Sequence, residues 1–261
     1  MIKILVNIPD TSGVSYHRLF IPFKNLGDRN NDIDVVVDTD VRGYTVEQFN
    51  EYDFVVFNRH IDKYTCESQP LIDRLKRSTC KIIIDNDDLY RLNKEHIFYS
   101  NYSQAQDDVI LSAKAADYLT VTHQLMADTM SKEMGIDINK FYVVPNGIDD
   151  SVPQFSFEDN IVDGRIKFGW TGSVTHFEDI LPLYDSLQYL YKNYYMKDKF
   201  SITYGGYVKN DLVSEAIAGV LSGKGVSNSE QFHLFDALPV DLYANFYKSI
   251  NVSLIPLENN E

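Results

Sequence analysis

The stretch Arg165-Ile166-Lys167-Phe168-Gly169-Trp170-Thr171-Gly172-Ser173-Val174-Thr175-His176 decides how this chain is read, because an earlier stretch is built like it. Near the start, Ile2-Lys3-Ile4-Leu5-Val6-Asn7-Ile8 leads into Ser12-Gly13-Val14-Ser15-Tyr16-His17. Each time a buried-type strand runs into a small hydroxyl residue, a Gly, and a His four positions after the Gly, and a helical pattern follows. A Gly in a strand-to-helix turn lets backbone approach a ligand, and a helix N-terminus favours phosphate. Two such openings predict two nucleotide-type α/β units facing one cleft.

Working outward, short apolar runs alternate with longer amphipathic ones, the pattern of a parallel sheet covered by helices. Strands are expected at Ile2–Ile8, Ile33–Val37, Asp53–Phe57, Lys81–Asp85, Tyr118–Thr122 and Phe141–Val144. Helices are expected at Ser15–Gly27, Cys66–Arg77, Ser103–Ala115 and Gln124–Met134. The alternation then breaks in an acidic, irregular stretch containing Pro153. This gives a first domain over 1–150, a linker over 151–164 and a second domain over 165–261. In the second domain, strands are expected at Ile166–Trp170, Phe200–Tyr204, Gln231–Phe235 and Asn251–Ile255, with helices at Glu178–Tyr194, Asn210–Leu221 and Val240–Ser249. Four strands ending in a loop read as an incomplete domain.

The formal net charge of -14 disfavours nucleic-acid grip as the main task, since phosphate contacts dominate that affinity. Cys66 and Cys80 have no metal-ligand spacing and read as reduced thiols. No signal peptide opens the chain and no apolar run is long enough to span a bilayer, so a cytoplasmic protein is expected. Gly-x-Gly-x-x-Gly and the Walker P-loop are both absent from the sequence, against a dinucleotide enzyme or a P-loop ATPase.

Ligands of open parallel sheets bind beyond the carboxyl ends of the strands. The polar groups expected there include Ser12, Gly13, His17 and Arg18; Asn58, Arg59 and His60; Asp85 to Asp88; Thr122 and His123; then Gly172, Ser173 and His176. Arg59 either pairs with the acidic cluster or holds a phosphate. The cluster Asp85-Asn86-Asp87-Asp88 either holds a divalent metal or caps a helix and lines an acceptor pocket; no metal site is assigned.

Four stretches resemble the GT-B glycosyltransferases, in particular the large retaining family (family four, or group one) in its bacterial and phage branch. They are Asp117–Thr122 with Gln124-Leu125-Met126, Val143-Val144-Pro145-Asn146-Gly147-Ile148-Asp149, Ile166–Asp179 and Tyr243–Leu257. The Asp85–Asp88 run suits the same branch. The resemblance implies two Rossmann-like domains, a UDP- or GDP-sugar donor held mainly by the second, an acceptor (glycan, lipid-linked or other) on the first, and no required cofactor. It implies donor contacts at Gly13, Arg59, Gly172, Ser173, His176, Phe235, Leu238 and Glu258, with Phe235–Leu238 near the nucleobase. Acceptor-side groups are then Tyr16, His17, Arg18, Asp85, Asp87 and Asp88. His17, Asp87 and His176 are candidate catalytic groups. The family's paired glutamates begin near Glu261, so the donor domain is expected to be incomplete. Peripheral contact with a membrane and the oligomeric state stay open. Two alternatives stand beside this reading: a non-catalytic carbohydrate- or partner-binding remnant, and a single-unit metal-dependent transferase of the GT-A type using Asp85–Asp88.

Overall fold

The computed structural model describes residues 1–10, 12–92, 94–96, 99–156, 164–196, 198–223 and 230–257, and for residues 101, 104 and 194 the backbone alone. The chain divides into two compact units, Met1–Asp149 and Asp150–Glu261.

In the first unit the elements run β1 (Ile2–Asn7), α1 (Ile21–Arg29), β2 (Ile33–Asp38), α2 (Val46–Phe49), β3 (Phe54–Asn58), α3 (Gln69–Leu75), β4 (Lys81–Asn86), α4 (Tyr99–Ala115), β5 (Tyr118–Val121), α5 (Gln124–Met134) and β6 (Phe141–Val143). The strands form one parallel sheet in the order β2-β1-β3-β4-β5-β6. Both faces are covered, which is why these strands read as near-continuous apolar runs. Leu5, Val55, Phe57, Ile82, Ile84 and Leu119 pack with Leu71, Val109, Ala113 and Met130 from the helices. Ile4, Val6 and Val56 pack on the other side with Leu19.

Local sequence explains the helix ends. His123 Nδ1 accepts from the Met126 amide at 3.1 Å and starts α5, which stops at Gly135 with φ of 67°. Such a left-handed C-cap is cheap only for Gly. The short α2 was not anticipated, although Thr45 and Gln48 form a reciprocal capping box, Thr45 N to Gln48 Oε1 at 2.8 Å and Gln48 N to Thr45 Oγ1 at 3.3 Å. The helix expected over Ser15–Gly27 is two pieces: a π-helix over Ser15–Phe20, then α1. Pro22 has no amide to donate, and its ring would press on the carbonyl four residues back, so a wider turn precedes it.

The second unit contains β7 (Ile166–Thr171), α6 (Phe177–Ile180), α7 (Tyr184–Lys192), β8 (Phe200–Tyr207), α8 (Leu212–Ser222), β9 (Phe232–Asp236) and β10 (Val252–Ser253). Its parallel sheet has the order β10-β7-β8-β9. The core gathers Trp170, Ile180, Phe200, Ile202, Tyr204, Ile217, Leu221 and Phe232. The expected single helix over Glu178–Tyr194 is interrupted by a 3-10 turn at Leu181–Leu183, because Pro182 cannot continue an α ladder. The expected helix over Val240–Ser249 is a 3-10 segment, Tyr243–Ser249. It lies against two strand glycines: a Cβ on Gly205 would stand 2.4 Å from the Phe246 ring, and one on Gly169 would stand 2.5 Å from Ile250 and 2.8 Å from Phe246. Of the stretch expected as a linker, Gln154 is buried in this unit: its Oε1 accepts from the Ala244 amide at 3.1 Å and its Nε2 donates to the Val240 carbonyl at 3.3 Å. Residues 157–163 lie outside the described part. Among the described residues, no helix is long and apolar enough to cross a membrane.

Candidate functional site

Strand order fixes where a ligand can approach each sheet. From β1 the chain steps to β2 on one side and then to β3 on the other, so the switch point lies between β1 and β3. From β7 it steps to β8 and β9, then returns to β10 on the opposite side, so the second switch point lies between β7 and β10. Crevices at the carboxyl ends of such strand pairs are the usual ligand sites of doubly wound sheets. Both Gly-to-His stretches leave the strand at a switch point: Gly13 to His17 after β1, Gly172 to His176 after β7.

Around the first switch point the cations are held by carboxylates from neighbouring loops. Arg18, in the π-helix, grips Asp85 at the end of β4 through Nε to Oδ2 at 3.1 Å and Nη2 to Oδ1 at 2.5 Å. Its Nη1 donates to the Val144 carbonyl at 2.7 Å and to Asn146 Oδ1 at 3.2 Å. Thr120 Oγ1 donates to Asp85 Oδ1 at 2.6 Å, and Asn58 Nδ2 donates to the Asp85 carbonyl at 3.3 Å. The Arg18 and Asp85 side chains are 6% and 5% exposed. Both were expected to face an acceptor; the structure turns them to each other, and the hub ties the ends of four strands and the Pro145–Asp149 segment to the π-helix. Asn25 Nδ2 adds a bond to Asp149 Oδ2 at 2.9 Å.

Arg59 follows β3 with φ of 59°, a left-handed backbone that an L residue adopts only under constraint. Its guanidinium bonds Asp87 Oδ1 through Nε at 2.9 Å and Nη2 at 2.8 Å, and Asp88 Oδ2 at 2.6 Å. Of the two roles open for Arg59, the structure shows the acidic cluster. Burial works against its charge, but Asp87 and Asp88 outweigh that and raise its pKa further. Asp10 receives the Ser12 amide and the Ser15 hydroxyl, each at 2.8 Å, and pairs with Lys63. Burial pushes the Asp10 carboxyl up, but these bonds prevail and hold it far below the usual carboxylate range. Gly13 is exposed beside this knot and opens the helical turn. Tyr16 and His17 follow, their rings edge to face at 5.1 Å. Burial lowers the His17 pKa, which favours the neutral imidazole.

Sequence reasoning missed a buried polar network next to this edge. Asp108 on α4 accepts from the Ser68 amide at 2.9 Å and the Ser68 hydroxyl at 2.8 Å, and contacts His60 Nδ1 at 2.9 Å. Ser112 Oγ donates to Ser68 Oγ at 3.2 Å. A signal existed: Asp108 and Ser112 sit four apart and interrupt the apolar inward face of α4 next to Val109 and Ala113. Burial opposes the Asp108 charge, yet the bonds from His60 and Ser68 hold its pKa below normal. A depressed carboxylate pKa contributes stability that is present above the unfolded value, about 4, and is lost as pH falls. Asp108→Asn is therefore expected to flatten the acid limb of the first unit's stability between about pH 5 and pH 2, read by urea melts at stepped pH; an unchanged slope contradicts it.

In the second unit, Gly172 is needed for a reason other than backbone conformation. A Cβ there would stand 2.9 Å from the Trp170 indole. Next to it, Gly206 has φ of 92° at a register shift of β8, and its own Cβ position lies 3.2 Å from the Gly172 carbonyl. The Ser173 hydroxyl pairs with that of Thr175 and makes no cap bond to the following turn. That turn is 3-10 over Val174–His176 and leads into the four-residue α6, so the expected helix-terminus anchor is short. His176 is more than half exposed, with Nδ1 2.8 Å from Asp179 Oδ2. Phe235 lies in β9 with its ring 5.6 Å from Phe246, and Leu238 follows it half-buried. Glu258 lies outside the described residues. The structure brings Gly172, Ser173 and His176 together; Phe235 and Leu238 stand beyond β8. Among the described residues, no three His, Cys, Asp or Glu side chains converge as metal ligands.

No protein-family model matches the sequence, and no curated relative does. Solved structures do resemble the fold. The UDP-GlcNAc 2-epimerase from Neisseria meningitidis bound to UDP-GlcNAc matches with TM-score 0.53 and 12% identity, over 97% of this chain and 76% of that one. Anabaena HepE in complex with UDP and glucose matches with TM-score 0.56 and 10% identity, over 94% and 72%. The lipopolysaccharide outer core galactosyltransferase WaaB in its apo form matches with TM-score 0.50 and 12% identity, over 97% and 73%. Identities this low speak to architecture alone. The two parallel sheets exclude the single-unit GT-A alternative, and the chain has the GT-B fold, two Rossmann-like units in sequence.

Proposed function

We propose that this chain transfers a sugar, with retention, from a UDP- or GDP-sugar to a hydroxyl acceptor in the cytoplasm, without a metal or other cofactor. The second unit takes the donor and the first takes the acceptor. One observation carries the reading: in both sheets the Gly-to-His stretch leaves a central strand at the switch point, where a doubly wound unit binds its ligand. The structural likeness to proteins solved with UDP-GlcNAc or with UDP and glucose agrees with it.

In this reading the diphosphate lies against the backbone of Gly172 and Gly206. The loop after β7 has no Lys or Arg, so the countercharge comes from Lys209, exposed in the loop after β8. Stabilising the leaving diphosphate is the main electrostatic task of such a reaction. His176, oriented by Asp179, reaches donor oxygens, and neutral His17 faces the acceptor.

Isothermal titration with UDP and GDP tests the donor role. Trp170 is the chain's one tryptophan and touches the Gly172 turn, so its fluorescence should change on binding. Lys209→Ala is expected to weaken the nucleotide about tenfold, or ~1.4 kcal/mol. If neither nucleotide binds, the proposal fails. Because an epimerase shares the fold, the product decides the chemistry: a new glycoside with free nucleotide means transfer, an altered nucleotide-sugar means epimerisation. The binding-module alternative predicts carbohydrate binding with no turnover of any donor.

A further inference from the structure

The cations flanking the first switch point are Arg18, Arg59 and Lys63, and each is already matched by a carboxylate: Asp85, then Asp87 with Asp88, then Asp10. His60, next to Arg59, contacts Asp108. Carboxylates outnumber the cations they serve. An anionic ligand placed here would have to displace a bidentate carboxylate or sit beside uncompensated negative charge, and either costs affinity.

What the edge does offer is neutral hydrogen-bonding capacity. Asn86, which ends β4, is fully buried, and neither its Oδ1 nor its Nδ2 has a partner among the described residues. Asn7, which ends β1, is 5% exposed, and its Oδ1 also has none among them. By alternation both amides lie on the sheet face of Leu5, Val55 and Ile84, opposite to Asn58 and Asp85. Buried polar atoms without partners are uncommon and cost about 1–3 kcal/mol each. An amide carries donors and an acceptor, which match a hydroxyl that both donates and accepts. An unpartnered amide also loses no bond when it turns toward a ligand.

We propose that the carboxyl edge of the first sheet takes an uncharged, hydroxyl-rich ligand, a neutral sugar or polyol, and rejects phosphorylated and acidic counterparts, with Asn7 and Asn86 as its hydrogen-bonding groups. This rests on the sugar-transfer reading and names the acceptor class within it. The burial that lowers the His17 pKa works in the same direction.

The test uses the full chain and saturation-transfer NMR, with three probe sets: methyl hexopyranosides, the matching hexuronates, and the hexose 6-phosphates. UDP binding is measured separately by calorimetry. At least one neutral glycoside should bind, with the acidic forms at least tenfold weaker. Asn86→Leu should abolish that binding while leaving thermal stability unchanged or raised, because it removes an unpartnered amide. The paired change Asp87→Asn with Asp88→Asn strips Arg59 of its countercharge and should narrow the tenfold gap; it decides the matter even if the Asn86 variant does not fold. Equal or tighter binding of the phosphate or uronate by the unaltered chain overturns the proposal. So does the absence of any glycoside binding. If UDP binds and no glycoside does, the acceptor inference falls and the donor reading stands. If a neutral glycoside binds and no nucleotide does, the donor reading falls and the neutral site stands.

Discussion

Arg18→Met destabilises the first unit by about 3–5 kcal/mol. The substitution keeps most of the side chain's volume and removes the charge with its hydrogen-bond donors, so the loss comes from what it leaves behind. Asp85 is then a carboxylate 5% exposed with its bidentate partner gone, next to the Val144 carbonyl and Asn146, which lose the same donor. A pair of this kind contributes modestly compared with an apolar replacement of both members, whereas breaking one half is expensive. The double variant Arg18→Met with Asp85→Leu should therefore recover much of the deficit. The measurement is urea unfolding followed by amide hydrogen exchange within 13–20 and 144–149. Trp170 lies in the second unit, so its fluorescence transition is the internal control and should stay in place. A shift below about 1 kcal/mol would show that water reaches the pair, and would reduce the hub to the worth of a surface ion pair.

Gly205→Val produces the second large effect, in the other unit. The first added carbon already falls 2.4, 2.5 and 2.9 Å from atoms of the Phe246 ring, well inside contact distance. Phe246 cannot retreat easily: it is 1% exposed, and the position of a Cβ on Gly169 crowds the same ring at 2.8 Å. Overpacking of this sort costs about 3 kcal/mol. Here the Trp170 transition should move down in urea while the first unit's exchange protection holds. Shrinking the obstacle, as in Gly205→Ala with Phe246→Leu, should be less harmful than the two single changes predict, because the sites share one contact. If Gly205→Val leaves the Trp170 transition unmoved, the 3-10 segment does not lie on the sheet as described.

The elements that were legible in the sequence were those with a strong local signal. Helix α5 was read with its observed bounds, where His123 and Gly135 cap it in the structure, and the strands were found because burial on two faces leaves them apolar throughout. Two of the errors sit at prolines. Pro22 and Pro182 each split a helix whose apolar periodicity continues across them, and periodicity alone does not register a missing donor. For the candidate site, position was legible and partnership was not. The polar groups read at the ends of β1, β3, β4 and β7 do lie there, but Arg18 finds Asp85 sixty-seven residues away, and no local pattern states which cation meets which carboxylate. The Asp108, Ser68 and His60 network was missed for the same reason, since its three members come from α4, the start of α3 and the turn after β3.

The contact between Phe246 and the two strand glycines has a consequence for the chain's history. Positions 169 and 205 lie on adjacent strands at paired register, Gly169 with Thr203 and Thr171 with Gly205, and both point at one ring. Gain of a side chain at either glycine is conditional on the residues it would meet, Phe246 for 205 and both Phe246 and Ile250 for 169. In descendants of this sequence a side chain should appear at 205 only after the residue at 246 has become smaller, and at 169 only after both 246 and 250 have, so the order of substitution is constrained even where the final combination is permitted.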